Sequence, residues 1–226
     1  MGVPARVILY APTSADAVAA LVRELDDPAR VVGPLERQPA DRHVAGSECL
    51  HLLDPVAVGR VVEQALGKGL GVVRAMPNTP AAVGRGTTVL CANEAATEAQ
   101  RALAERLMAA VGAVHWVADE DQMHAVTAVS GSGPAYVFHL IEALAAAAVR
   151  AGLPEPLAME LARGTVVGAG ELAHQSTDSA AQLRTNVTSP GGTTAAALAE
   201  LMGPDGIGPV LNRAVAAAAA RSRELA

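Results

Sequence analysis

The sequence predicts an α/β domain with a mostly parallel sheet over residues 1–119, followed by an all-α domain over residues 120–226. Three observations carry that prediction. Up to about residue 119, short β-branched runs alternate with amphipathic helical stretches, the pattern of strands joined by crossover helices. Beyond it, only helical stretches remain, set apart by glycine and proline. Hydrophobic residues make up 51% of the 226, while aromatic residues are 2%, so the core is built from Ala, Val and Leu.

Residues 6–10 (Arg-Val-Ile-Leu-Tyr) read as the first strand. Residues 14–25 read as a helix, with Ser14 as N-cap and apolar residues at 18, 21, 22 and 25. Strands are expected at 30–32 and 48–53, and Pro55 suits the first turn of a helix running to about Leu66. Further strands are expected at 71–75, 87–91 and 113–117, with a helix over about 94–110. The second domain reads as helices at about 120–130, 134–151, 155–176, 178–186, 193–202 and 206–224, with Gly131 marking the first break. These helices are Ala-rich and apolar on more than one face, more surface than about a hundred residues can bury internally. Part of it is therefore expected to lie in a subunit interface.

A net charge of -6 and a pI near 5.5 provide no basic surface for nucleic acid. Tyr10, Trp116, Tyr136 and Phe138 are too few to form base-stacking platforms. Cys49 and Cys91 make neither a CxxC motif nor a disulfide framework. His43, His51, His115, His139 and His174 show no metal-ligand spacing, so no metal is expected. The N-terminus has no apolar leader, and no uninterrupted apolar run approaches the roughly 18 residues of a membrane span. The longest candidate, 143–149, lies between Glu142 and Arg150. A soluble, cytoplasmic protein with no membrane partner is expected.

Three motifs carry chemistry. Residues 188–194 (Thr-Ser-Pro-Gly-Gly-Thr-Thr) lead into an apolar helix. Paired glycines allow close backbone approach and positive φ, and the helix N-terminus offers N–H groups and a positive dipole end. That suits a carboxylate or phosphate; a capped helix start after a tight turn fits equally. Residues 125–136 contain Gly131-Ser132-Gly133-Pro134, read as a corner between two helices. This is not the strand-to-helix elbow of a serine hydrolase. Residues 75–80 (Ala-Met-Pro-Asn-Thr-Pro) stand at the carboxyl end of a predicted strand, where open α/β sheets bind ligands.

Taken in order and spacing, Met76-Pro77-Asn78-Thr79-Pro80, Ala125 to Tyr136 and Ser189 to Thr194 resemble the pyrroline-5-carboxylate reductase family, over about 72–225. The resemblance implies an incomplete Rossmann-like N-terminal domain and an all-α C-terminal dimerisation domain. It implies hydride transfer from NADPH or NADH to the C=N bond of 1-pyrroline-5-carboxylate, giving L-proline, in a homodimer or a larger ring. Ser189, Gly191, Gly192, Thr193 and Thr194 then correspond to the substrate site. Thr194 matches the catalytic threonine beside the ring nitrogen. Leu53, Pro55, Met76, Asn78 and Thr79 correspond to the cofactor site.

The N-terminal third departs from the family. Residues 9–16 (Leu-Tyr-Ala-Pro-Thr-Ser-Ala-Asp) hold no glycine where the pattern places a glycine-rich phosphate loop. Asp54 stands where the family has lysine, and a strand and loop before residue 72 are missing. His124 replaces an aspartate and reads as a solvated helix histidine. Three functions follow as alternatives: a reductase of pyrroline-5-carboxylate, a reductase of another imine or carbonyl, and a catalytically impaired relative acting as a dimerising or ligand-sensing protein.

Overall fold

The computed structural model describes residues 71–225, and ahead of them the backbone of Ile8–Leu9 and His51–Leu52. The readings at 14–25, 30–32 and 55–66, and the site residues Leu53 and Pro55, lie outside the described residues.

Among the described residues, five strands form one sheet in the order β2-β1-β3-β4-β5. They are β1 (Ile8–Leu9), β2 (His51–Leu52), β3 (Val73–Met76), β4 (Gly86–Ala92) and β5 (Gly112–Val117). Strand β1 pairs in parallel with both β2 and β3, with Leu9 level with Leu52 on one side and Ala75 on the other. Strand β4 runs antiparallel to β3, with Ala75 opposite Leu90, while β4 and β5 are parallel. The reversal at β4 has a simple cause. Residues 77–85 join it to β3, and a parallel return takes roughly a dozen residues or more. They fold instead into a tight connection with a 3₁₀ turn, Thr79–Val83, closed by Gly84 at φ 69°.

Helix α1 (Glu98–Ala109) crosses from β4 to β5. It begins four residues later than the apolar pattern predicts, because Thr97 and Gln100 form a capping box. The Gln100 amide donates to Thr97 Oγ1 at 3.3 Å, and Gln100 Oε1 accepts from the Thr97 amide at 2.8 Å. The buried face of α1, with Ala104, Leu107 and Met108, packs on Val73, Ala75 and Leu90. The opposite face of the sheet holds Met76, Val89 and Cys91 with Met123, which is fully buried.

Met123 belongs to α2 (Met123–Val126), which follows a 3₁₀ turn at Glu120–Gln122. A π-helical segment, Thr127–Gly131, comes next, then α3 (Gly133–Arg150). The expected corner at 131–133 is not there. Ser132 keeps right-handed helical dihedrals (φ -85°, ψ -21°) and the helical path continues. Pro134 falls in the first turn of α3, where its missing N–H costs nothing. Glu120–Arg150 is therefore one 31-residue helical run, with an 18-residue window of mean hydropathy 1.3. By length and composition it could cross a bilayer, contrary to the sequence expectation, because the turns at both ends of the π segment join two apolar stretches.

The remaining helices are α4 (Glu155–Gln175), α5 (Ala180–Asn186), α6 (Thr193–Leu201) and α7 (Ile207–Glu224). The chain divides into two compact units, Met1–Pro134 with Ala217–Ala226, and Ala135–Ala216. In the second, α3 buries only Ala145, α4 buries Ala158 and Ala162, and α5 and α6 bury nothing. Phe138, Val167 and Leu172 are more than 60% exposed, so a single copy leaves large apolar side chains in water.

Candidate functional site

The register sets the carboxyl ends of β1, β2 and β3 within a residue of one another, with β1 between β2 and β3. This is the switch point at which open α/β sheets form a ligand crevice. From β3 the loop Pro77–Pro80 leaves this edge. Met76 and Pro77 are buried, Asn78 is half-buried and Thr79 is exposed.

The Asn78 carboxamide is held at both ends. Its Oδ1 accepts from the Thr87 amide at 2.9 Å, and its Nδ2 donates to Ser130 Oγ at 3.2 Å. Ser130 lies in the π-helical segment, whose wide turn closes with the Ser132 amide donating to the Thr127 carbonyl at 2.8 Å. The next residue, Gly131, packs so closely on the loop that a Cβ there would stand 2.6 Å from Met76 Cε. Ser130 was not among the residues singled out in the sequence. The signal available for it, its place in Ser-Gly-Ser-Gly-Pro, reads locally as a helix corner.

The second candidate feature stands in the other unit. Helix α6 starts after Ser189-Pro190-Gly191-Gly192, and Gly191 adopts φ 69°, a conformation in which a side chain is strained. Gly192 is the N-cap, at φ -78° and ψ 172°, and a Cβ on it would collide with Ser189 Oγ. The turn is tightened by the Gly192 amide donating to the Ser189 carbonyl at 3.1 Å. No side chain caps the helix. The first amides of α6, from Thr193 and Thr194, therefore point out of the helix with no intrahelical acceptor. Thr194 is half-buried, and Ser189, Gly191 and Thr193 are exposed. The arrangement can hold a small anion by backbone N–H groups and the helix dipole.

His124 is half-buried rather than solvated. Its Nδ1 lies 2.9 Å from Ser222 Oγ and fastens α2 to the end of α7. A cavity of about 590 Å³ opens at the other end of the sheet, lined by Arg74, Cys91, Asn93, Asp119 and Glu120. Arg74 is ion-paired to Glu120 there. Among the described residues no group of three or more His, Cys, Asp or Glu side chains is placed to hold a metal ion.

Comparison with known proteins gives consistent matches. A family model for pyrroline-5-carboxylate reductase dimerisation matches residues 120–225. A pyrroline-5-carboxylate reductase of Mycobacterium leprae is 43% identical over 215 residues, covering 86% of this chain and 71% of the relative. The solved structure of a pyrroline-5-carboxylate reductase from Coxiella burnetii superposes with a TM-score of 0.75 at 36% identity, covering 97% of this chain and 76% of that one. A Plasmodium falciparum pyrroline carboxylate reductase with NADP bound superposes at 0.64 and 33% identity, covering 74% and 63%. Against other curated relatives, matched at 46–49% identity, the chain spans 55–61% of their length.

Proposed function

We propose that this chain, which belongs to the pyrroline-5-carboxylate reductase family, reduces the C=N bond of 1-pyrroline-5-carboxylate with a nicotinamide cofactor, NADPH or NADH, to give L-proline. The observation that carries the proposal is the uncapped, glycine-built N-terminus of α6. It suits a small carboxylate, and its residues are those that resemble the substrate motif of the family. The amides of Thr193 and Thr194, with the Ser189 and Thr193 hydroxyls, grip the carboxylate. Held there, the ring has its nitrogen beside the Thr194 hydroxyl, which donates a hydrogen bond to the lone pair that develops on nitrogen as hydride arrives at carbon. Because the imine can enter already protonated, no strong acid is needed, and catalysis is chiefly the positioning of two reactants.

The cofactor half of the proposal rests on residues 1–119. Met76 at the end of β3 and the loop residues Asn78 and Thr79 frame the nicotinamide end; Leu53 and Pro55, outside the described residues, are assigned to the cofactor by the family resemblance alone. The chemistry at the loop agrees with that role. Both ends of the Asn78 carboxamide are already bonded inside the protein, which makes the loop a rigid floor. The exposed Thr79 hydroxyl remains for polar contact. When bound, the reduced cofactor supplies the hydride.

The helical half, 120–226, is the substrate and dimerisation domain in this reading. The run Glu120–Arg150 then lies against a second copy rather than in a bilayer, and Phe138, Val167 and Leu172 are covered by association into a homodimer or a ring of such dimers. The protein works in the cytoplasm.

The test is titration of NADPH and NADH by fluorescence, followed by turnover with 1-pyrroline-5-carboxylate. Saturable binding and proline formation are expected. No binding at millimolar cofactor overturns the reductase reading and leaves a dimerising protein that binds the imino acid without turning it over.

A further inference from the structure

We propose that Ser130 is a positioning residue for this reduction, acting through Asn78 to set the height of the strand-end loop; the inference rests on the reductase reading above. The two residues are 52 apart in sequence and joined by the 3.2 Å hydrogen bond from Asn78 Nδ2 to Ser130 Oγ. The other end of the same carboxamide is fixed to the β4 backbone at Thr87. Asn78 thus bridges the rigid sheet and the π-helical segment, and Thr79, the next residue, takes its position from that bridge.

The segment that supplies Ser130 is unusual for a reason the bridge explains. A π turn is rare, and it persists where something outside the helix holds it. Here two consecutive residues of the π segment meet the loop. Ser130 bonds Asn78, and Gly131 receives the end of the buried Met76 side chain, which a Cβ there would displace. Thr127 adds a bond from its Oγ1 to the Met123 carbonyl at 2.8 Å, which ties the segment's start to the buried Met123. The strand end and the loop after it are therefore held from one side at two points, by the Ser130 hydroxyl and by Gly131, on a segment that has left regular helix geometry.

A loop held in this way sets the floor on which, in the reductase reading, the nicotinamide ring rests. Displacements well under an ångström matter to hydride transfer, and a misplacement of about 1 Å can cost roughly a hundredfold in rate. The hydroxyl of Ser130 does not touch the reacting atoms in this account. Its contribution is the acceptor for Asn78 and nothing else.

The experiment uses the full chain and three variants, Ser130→Ala, Ser130→Val and Ser130→Thr. Val and Thr share a shape and differ by the hydroxyl. Steady-state kinetics are measured with NADPH and 1-pyrroline-5-carboxylate, together with melting temperature. The expected result is a fall in kcat of about tenfold for the Ala and Val variants, with KM for the imino acid held within about twofold. The Thr variant is expected to recover most of the rate. Equal kcat in the Thr and Val variants overturns the proposal, as does an Ala variant with wild-type kcat. A wild-type chain that shows no turnover overturns the reductase reading itself and takes this role with it, an outcome distinct from the other two.

Discussion

The Arg74 guanidinium lies 3.2 Å from the Glu120 carboxylate, joining residues 46 positions apart. Arg74 projects from β3, two residues before the strand ends at Met76, and its side chain is 9% exposed. Glu120 opens the 3₁₀ turn that leads into the long helical run. The pair pins the start of that run to the sheet, beside the point at which Met123 enters the core.

Removing the carboxylate's charge leaves the guanidinium in a poorly hydrated site with a weaker partner. Glu120→Gln is expected to lower stability by about 1–2 kcal/mol. The value lies below that of a fully buried pair because the Glu120 side chain is 32% exposed. Urea unfolding should show a lower midpoint with an unchanged slope. A midpoint equal to that of the parent would mean that water already screens the pair.

Cys91 is buried on the same face, and burial, reinforced by the Glu120 carboxylate, pushes its thiol up from its ordinary value. A group whose folded pKa is raised gives full stability below its unfolded pKa and loses it as pH rises toward the folded value. The stability difference between the parent and Cys91→Ala should hold steady from pH 6 to about 8 and shrink above about pH 8.5. In a Cys49→Ser background, alkylating reagents should modify Cys91 only upon unfolding. Rapid alkylation of the native protein at neutral pH would contradict this.

At α6, Gly192→Ala places a Cβ against Ser189 Oγ and displaces that hydroxyl from the turn. The KM for the imino acid is expected to rise about tenfold, the loss of one charge-assisted hydrogen bond. Thr194→Ala leaves the turn intact and removes one hydroxyl. Its effect should fall on kcat, by about 10- to 100-fold. If both variants change the same constant by the same factor, the two roles have been wrongly divided.

Phe138 on α3 is 62% exposed and Leu172 on α4 is 67% exposed. Charged replacements, Phe138→Glu and Leu172→Glu, should cost a monomer little and an assembly much. Light scattering at matched concentrations should show the parent as a dimer or larger and the variants shifted toward monomer. Unchanged mass in both would move the interface elsewhere.

Much of this architecture could be read from local pattern. The β-branched runs that mark strands at 87–91 and 113–117 are legible because each of those strands packs at least one face on a core. The helices at 134–151 and 155–176 were legible because alanine and leucine favour helix while Gly152 and Pro154 end it. The α6 turn was legible for a related reason. Paired glycines before a helix leave few backbone conformations that fit, and Gly191 occupies the expected one. What pattern alone could not decide was where two distant stretches would meet. The π segment in place of a corner, the reversal of β4, the half-burial of His124 on Ser222 and the Asn78–Ser130 bridge all depend on partners far away in the chain or on connection length. Periodicity records which side of an element is apolar. It holds no information on which polar group, fifty residues on, will complete a carboxamide's hydrogen bonds, and that was settled only when the sheet and the helical run packed together.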